Sequence, residues 1–223
     1  MRTRTGPFTP LLALGGIGTV VALAVLVTTG VSAPVDAGVI DAVQSPDLSG
    51  ILAPLRQITE LGSTWAVAIV ALITLGVALA IGPWRHGVAG ALTMVVASVL
   101  NATIKLAIAR ERPELLDPLI QERGFSFPSG HAALAVVAYG ILAVVIGRSR
   151  LPRPVRAALI GALLVLVLLI GLSRIWLGHH YPTDVLAGWI AGAVIVLLYR
   201  WFTRTVSREP AEGAALDAEP PPG

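Results

Sequence analysis

Residues 124–140, GFSFPSGHAALAVVAYG, change character at their midpoint. Up to Ser129 the stretch reads as a loop, with Gly124 and Pro128 as breakers; after His131 it is almost purely apolar. Ser129 is a residue type that favours the N-cap position, so a helix is expected to start there. Its apolar run is long enough to enter a bilayer. This sets an ionisable ring at the mouth of a lipid-soluble helix, where a charged or titrating group needs a reason.

The rest of the chain fits that setting. It has 223 residues, 55% of them hydrophobic and 13% charged, with a mean hydropathy of +0.81. Soluble domains carry about 25% charged residues. A helix needs about 20 apolar residues to cross the hydrocarbon core. Six stretches meet or approach that length: Leu11–Val31, Ser63–Ile81, Gly87–Ile108, His131–Gly147, Ala157–Leu172 and Val185–Phe202. The expected fold is all-α, a polytopic membrane protein built as a six-transmembrane-helix bundle over residues 1–206. The tail 207–223, SREPAEGAALDAEPPPG, lacks apolar periodicity and is expected to be a disordered cytoplasmic extension. The first span begins with Arg2 and Arg4 and ends near VSA at 31–33, as a signal peptide does. Its apolar run exceeds the usual ~7–15 residues and Pro34 follows the cut position, so it is read as a retained helix. In the connection 32–62, Leu48, Ile51, Leu52, Leu55 and Ile58 recur at helical spacing. They suggest either an interfacial helix, bent at Pro54, or a partly structured loop packed on the bundle.

Cysteine is absent, which removes disulfide and thiolate chemistry. Of the 16 basic residues, 15 are arginine and one, Lys105, is lysine. With six spans, the side bearing both termini holds ten of these, among them the loop RSRLPRPVR at 148–156, and the opposite side holds six. Basic residues accumulate on the cytoplasmic side, so both termini are expected on the cytoplasmic side of the cell membrane.

Three polar stretches then face outward together. In KLAIARERP (105–113), Lys105 and Arg112 lie seven residues apart and share a helix face if the third span continues to Pro113, with Asn101 one turn earlier. In PSGH (128–131), the first amides of a helix lack intrahelical partners and lie at the positive dipole end, where an anion fits; Gly130 lets it approach the backbone. In SRIWLGHHYPTD (173–184), Pro182 suits the first turn of the last span, and Asp184 stands four residues after His180, within reach of its ring. Taken singly, each has an ordinary reading: a snorkelling lysine, a capped helix start, a hydrogen-bonded core histidine. Together they bring Lys105, Arg112 and Arg174, a helix N-terminus and two histidines to one membrane face. Cations and amides make an oxyanion cradle, and paired histidines supply a nucleophile and an acid.

In this order, K-x6-R-P, P-S-G-H and S-R-x5-H-x3-D resemble the three-part signature of the type 2 phosphatidic acid phosphatase family of membrane lipid phosphate phosphatases, shared with bacterial acid phosphatases and vanadium haloperoxidases. Every signature position is filled, within residues 105–184. The resemblance implies hydrolysis without metal or cofactor. His180 would attack phosphorus with Asp184 behind it, and His131 would serve as acid and then base. Lys105, Arg112, Ser129, Gly130 and Arg174 would bind the phosphoryl oxygens. His179 matches no signature position. The expected partner is a lipid phosphate in the outer leaflet, with no nucleic acid. An outward site favours undecaprenyl pyrophosphate, with phosphatidylglycerol phosphate and phosphatidic acid as alternatives. Two other readings stay open: a metal hydrolase using His131, His179, His180 and Asp184, and a transporter or channel with a charged mouth.

Overall fold

The structure, a computed structural model, describes residues 8–43, 52–81, 84–114 and 122–205. The expected disordered tail and the positions Leu48 and Ile51 lie outside them. The described residues form eight helices and no strand: α1 (Phe8–Thr28), α2 (Ala33–Val43), α3 (Leu52–Glu60), α4 (Thr64–Ile81), α5 (Trp84–Ile108), α6 (Gly130–Gly147), α7 (Arg153–Trp176) and α8 (Pro182–Thr205). Five single helices, α1, α5, α6, α7 and α8, are long and apolar enough to cross a bilayer, and α3 with α4, bent by 48° at their break, makes a sixth only if the pair is taken as one span. Each of the six expected apolar stretches falls on a helix. The fifth and sixth run longer than their apolar cores, and the ends they add carry Arg174 and Asp184.

Lateral faces of α1, α4 and α5 expose Leu12, Leu72, Trp65, Val95 and Leu106, as side chains in contact with lipid tails require. The core forms around α6, whose Ala132, Ala135, Val137, Ala138 and Ile141 are almost fully buried. This helix packs on α4, α5, α7 and α8, while α1 lies along α8. Helices in lipid approach closely only where small residues line the contact. At Gly188 an added Cβ would stand 2.7 Å from the Ser129 carbonyl, and at Gly192 2.7 Å from the Ala133 carbonyl. That contact lets the amide of Ser129 donate to the Asp184 carbonyl at 2.9 Å, which locks the start of α6 to the start of α8.

Chain direction alternates through the six spans, so Lys105, Gly130, Arg174 and Asp184 collect at one end of the bundle. The 148–152 connection lies at the other. The third span ends at Ile108, where its apolar run ends, and does not continue to Pro113 as a shared face for Lys105 and Arg112 would need. Ala109 takes a left-handed φ of 51°, and residues 109–114 run as irregular chain. The backbone there has another bond to make: the Arg110 carbonyl accepts from the Ser126 amide at 2.8 Å. The 32–62 connection contains two helices. Pro54 falls in the first turn of α3, where a missing N–H costs nothing, so it does not bend that helix. Helix α3 packs on α7, and α2 sits over the ends of α7 and α8.

Replacing Gly192 by Leu should lower thermal stability, since overpacking costs about 1–3 kcal/mol and each kcal/mol shifts Tm by roughly 2–4 °C. Gly15→Ala, on an open face of α1 with nothing within 4 Å of the added carbon, should leave Tm unchanged. Thermal unfolding in detergent checks both.

Candidate active site

At the motif end of the bundle a cavity of about 270 Å³ opens between α4, α5 and α6, lined by Lys105, Arg112, Glu122, Gly130, His131 and His180 among others. Each wall has a local cause. Lys105 occupies the last turn of α5 and is held there, not drawn to the interface. Its Nζ donates to the carbonyls of Phe125 (2.6 Å) and Ser126 (3.3 Å), so the loop before α6 fixes the ammonium. Arg112 reaches the cavity from irregular chain and is clamped at both ends of its guanidinium. Its Nε donates to the Gly124 carbonyl at 3.0 Å and its Nη1 to the His179 carbonyl at 2.7 Å. The shared helix face is therefore not what brings Lys105 and Arg112 together; two carbonyl clamps do.

Ser129 holds the N-cap position of α6 with extended backbone angles, but its hydroxyl does not cap the helix. The Oγ is buried without a hydrogen-bond partner, as is Arg174 Nε. Buried polar atoms are seldom left unpaired, and two further ones, Asn101 Oδ1 and His180 Nδ1, belong to residues that line the cavity. Gly130 faces Asn101 and Lys105, and a Cβ there would stand 3.1 Å from Asn101 Nδ2.

His180 and Asp184 bracket the turn into α8. His180 Nδ1 faces Asp184 Oδ2 at 3.5 Å, an ion-pair distance longer than a hydrogen bond. Its Nε2 lies 3.3 Å from Arg112 Nη1 on the cavity side. Burial foremost, with the Arg174 and Arg112 charges, pushes the His180 imidazole down to about 3 against the pull of Asp184. Burial thus disfavours the charged ring, and Nε2 faces the Arg112 guanidinium. The Asp184 carboxylate accepts from the Tyr181 amide at 2.9 Å, from Arg110 Nη1 at 2.7 Å and from the Ser126 hydroxyl.

All eight expected site residues come together at this end, and four more join them unannounced. Arg110 and Ser126 bind Asp184, Asp36 of α2 binds Arg110, and Glu122 enters the cation cluster. The Glu122 carboxylate pairs with Arg174 and lies 3.2 Å from both Arg112 Nη1 and His179 Nδ1. Burial opposes its charge, but His179 and Arg174 outweigh that and hold its carboxyl far below the usual range. His179 thus has two contacts: its carbonyl holds Arg112 and its ring meets Glu122. Nothing in the sequence tied Asp36 to residues some 70 positions on. Among the described residues no three His, Asp or Glu side chains converge as a metal-ligand set.

Cations, a helix N-terminus and a histidine facing a carboxylate, all at the mouth of a membrane bundle, make a site suited to a phosphoryl group in a membrane-embedded protein. Comparison with known proteins agrees. Residues 86–208, more than half of the chain, match the PAP2 superfamily. A phosphatidylglycerophosphatase B from Bacillus subtilis is 31% identical over 157 residues, 69% of this chain and 76% of that one. An undecaprenyl-diphosphatase from Sulfolobus acidocaldarius is 31% identical over 121 residues, 51% of this chain and 53% of that one. The crystal structure of a transmembrane PAP2-type phosphatidylglycerolphosphate phosphatase from Bacillus subtilis superposes with a TM-score of 0.80 at 26% identity, covering 88% of this chain and 98% of that one. The chain belongs to the PAP2 superfamily and is a multi-pass membrane lipid phosphatase.

Glu122 occupies Arg112 and Arg174, the cations expected to bind the phosphoryl group, so Glu122→Gln should bind inorganic phosphate more tightly. A gain of roughly fivefold corresponds to about 1 kcal/mol for one partly exposed ion pair. Competitive inhibition by phosphate measures it, and a weaker inhibition constant would make Glu122 a support for Arg112 and Arg174.

Proposed function

We propose that the protein hydrolyses a lipid phosphate or pyrophosphate through a phosphohistidine on His180. The observation that carries this reading is the placement of His180, with Nδ1 toward Asp184 and Nε2 toward the cavity beside Arg112. In that arrangement the proton resides on Nδ1, and the Nε2 lone pair attacks phosphorus. As the N–P bond forms, the P–O bond to the lipid breaks and the imidazole becomes cationic, stabilised by Asp184. Lys105, Arg112, Arg174, Ser129 and the Gly130 amide bind the equatorial oxygens, where charge spreads in the transition state; such preorganised donors supply most of the rate. Glu122 leaves Arg112 and Arg174 as phosphate enters. His131, on the cavity wall at the start of α6, protonates the departing lipid oxygen. It then takes a proton from the water that splits the N–P bond, which releases phosphate and restores His180.

The site faces the cell exterior in this reading, because ten of 16 basic residues fall on the opposite side and three of the remaining six, Lys105, Arg112 and Arg174, belong to the site. An outward site on a carrier lipid favours undecaprenyl pyrophosphate, in keeping with the undecaprenyl-diphosphatase among the relatives. Phosphatidylglycerol phosphate is the second reading, favoured by the longer match to a phosphatidylglycerophosphatase. Residues 1–206 act as one membrane phosphatase unit, with 207–223 a cytoplasmic tail.

Phosphate release by purified protein from a panel of undecaprenyl pyrophosphate, phosphatidylglycerol phosphate and phosphatidic acid decides the substrate. His180→Ala should abolish turnover on all of them while the protein still folds. His131→Ala should slow a lipid monophosphate far more than an aryl phosphate, because a good leaving group hardly needs an acid; equal loss on both contradicts the acid role. Orthovanadate should inhibit and EDTA should not; restoration of an EDTA-treated enzyme by zinc or magnesium would overturn the metal-free mechanism. For sidedness, Arg123 and Arg150 are exposed at opposite ends, whereas Ser126 is buried against Asp184 and unsuited to labelling. The chain has no native cysteine. Arg123→Cys should react with a membrane-impermeant thiol reagent in intact cells and Arg150→Cys should not.

A further inference from the structure

Behind Asp184 lies a second buried carboxylate that the chemistry above does not use. Asp36, in the first turn of α2, is fully buried at a membrane mouth, where an ionised group needs compensation. Its Oδ2 accepts from Arg110 Nη2 at 2.8 Å and from the Thr183 hydroxyl at 2.7 Å, and its Oδ1 accepts from the Thr183 amide at 3.2 Å. The other arm of the same guanidinium, Arg110 Nη1, donates to Asp184 Oδ1 at 2.7 Å and to the Thr183 hydroxyl at 2.8 Å. The guanidinium also stacks over the Tyr181 ring, 4.0 Å from its centroid. Arg110 therefore bridges two carboxylates on one plane, which a guanidinium fork does and an ammonium does not.

We infer that Asp36 is a positioning residue for the nucleophile, acting through Arg110 and Asp184. Two effects follow from its place. The Thr183 amide is one of the first donors of α8, left without an intrahelical partner, and Asp36 accepts from it from outside that helix. This fixes the start of α8 and with it the angle at which Asp184 meets His180. The second effect is charge. Arg110 alone would cancel the charge of Asp184, leaving nothing net to stabilise the cationic phospho-imidazole. With Asp36 present, the trio of Asp36, Arg110 and Asp184 sums to one negative charge directly behind His180. Asp36 lies outside residues 86–208, so the N-terminal segment before the PAP2 match supplies a part of the site.

This inference rests on His180 being the nucleophile, and the two fail separately: loss of all turnover in His180→Ala tests that reading, whatever Asp36 does. The test here is Asp36→Asn, which keeps the shape and removes the charge. Steady-state kinetics in detergent on phosphatidylglycerol phosphate and on phosphatidic acid should show kcat lower by at least about tenfold, within the coupling range of residues in one hydrogen-bonded network. KM should stay within about twofold, because the cradle of Lys105, Arg112 and Arg174 is untouched and uniform binding is not lost. Arg110→Lys keeps the charge beside Asp184 but cannot bridge both carboxylates, and should show the same split; it serves if Asp36→Asn does not fold. Unchanged kcat in either folded variant overturns the inference. So does a fall in kcat matched by an equal rise in KM, which marks general disruption of the site.

Discussion

The Asp184 carboxylate is where the structure converges. It is fully buried near the mouth of a membrane bundle, and an ionised group there is tolerated only if every lone pair is met. Its partners come from each of the three motif stretches and the loops beside them: Arg110 after α5, Ser126 before α6, and Tyr181 and His180 at the turn into α8. Its own main-chain carbonyl takes the amide of Ser129. To satisfy one carboxylate, the chain must bring the ends of α5, α6 and α8 together, and that assembly is also the wall of the cavity.

The surrounding cations obey the same constraint in reverse. Lys105 and Arg112 are each anchored on backbone carbonyls of loops that the motifs themselves define, and Arg174 is paired with Glu122. A cluster of three positive groups repels itself in a low-dielectric setting, and a resident carboxylate relieves that repulsion. In the proposed reaction a phosphoryl group, with more negative charge and three oxygens in place of two, takes the place of that carboxylate.

Much of this was legible in the sequence. Apolar runs gave the six spans because lipid exposure imposes a simple compositional rule, and the motif order put the site residues at one end through alternation of chain direction alone. What could not be read has physical causes. The end of α5 at Ala109 depends on a backbone bond from Ser126 to Arg110, a contact without a sequence signature. The pairing of Arg110 with Asp36 depends on how α2 packs over α7 and α8, and α2 itself was hidden in a segment that carries no strong amphipathic pattern. Ser129 looked like a helix cap by residue type, yet its hydroxyl is uncommitted and only its backbone has a structural task. Glu122 was invisible because a carboxylate among cations three loops apart is a property of the fold.

The claim at the centre of this account is a covalent bond between phosphorus and His180. Rapid acid-free quenching of the enzyme with a lipid substrate labelled in its terminal phosphate, followed by digestion, tests it directly. The account predicts a labelled peptide containing His180 whose label survives alkali and is lost in mild acid, as a phosphoramidate is. Label on another residue, or release of phosphate with no labelled peptide at any time point while turnover proceeds, would contradict it.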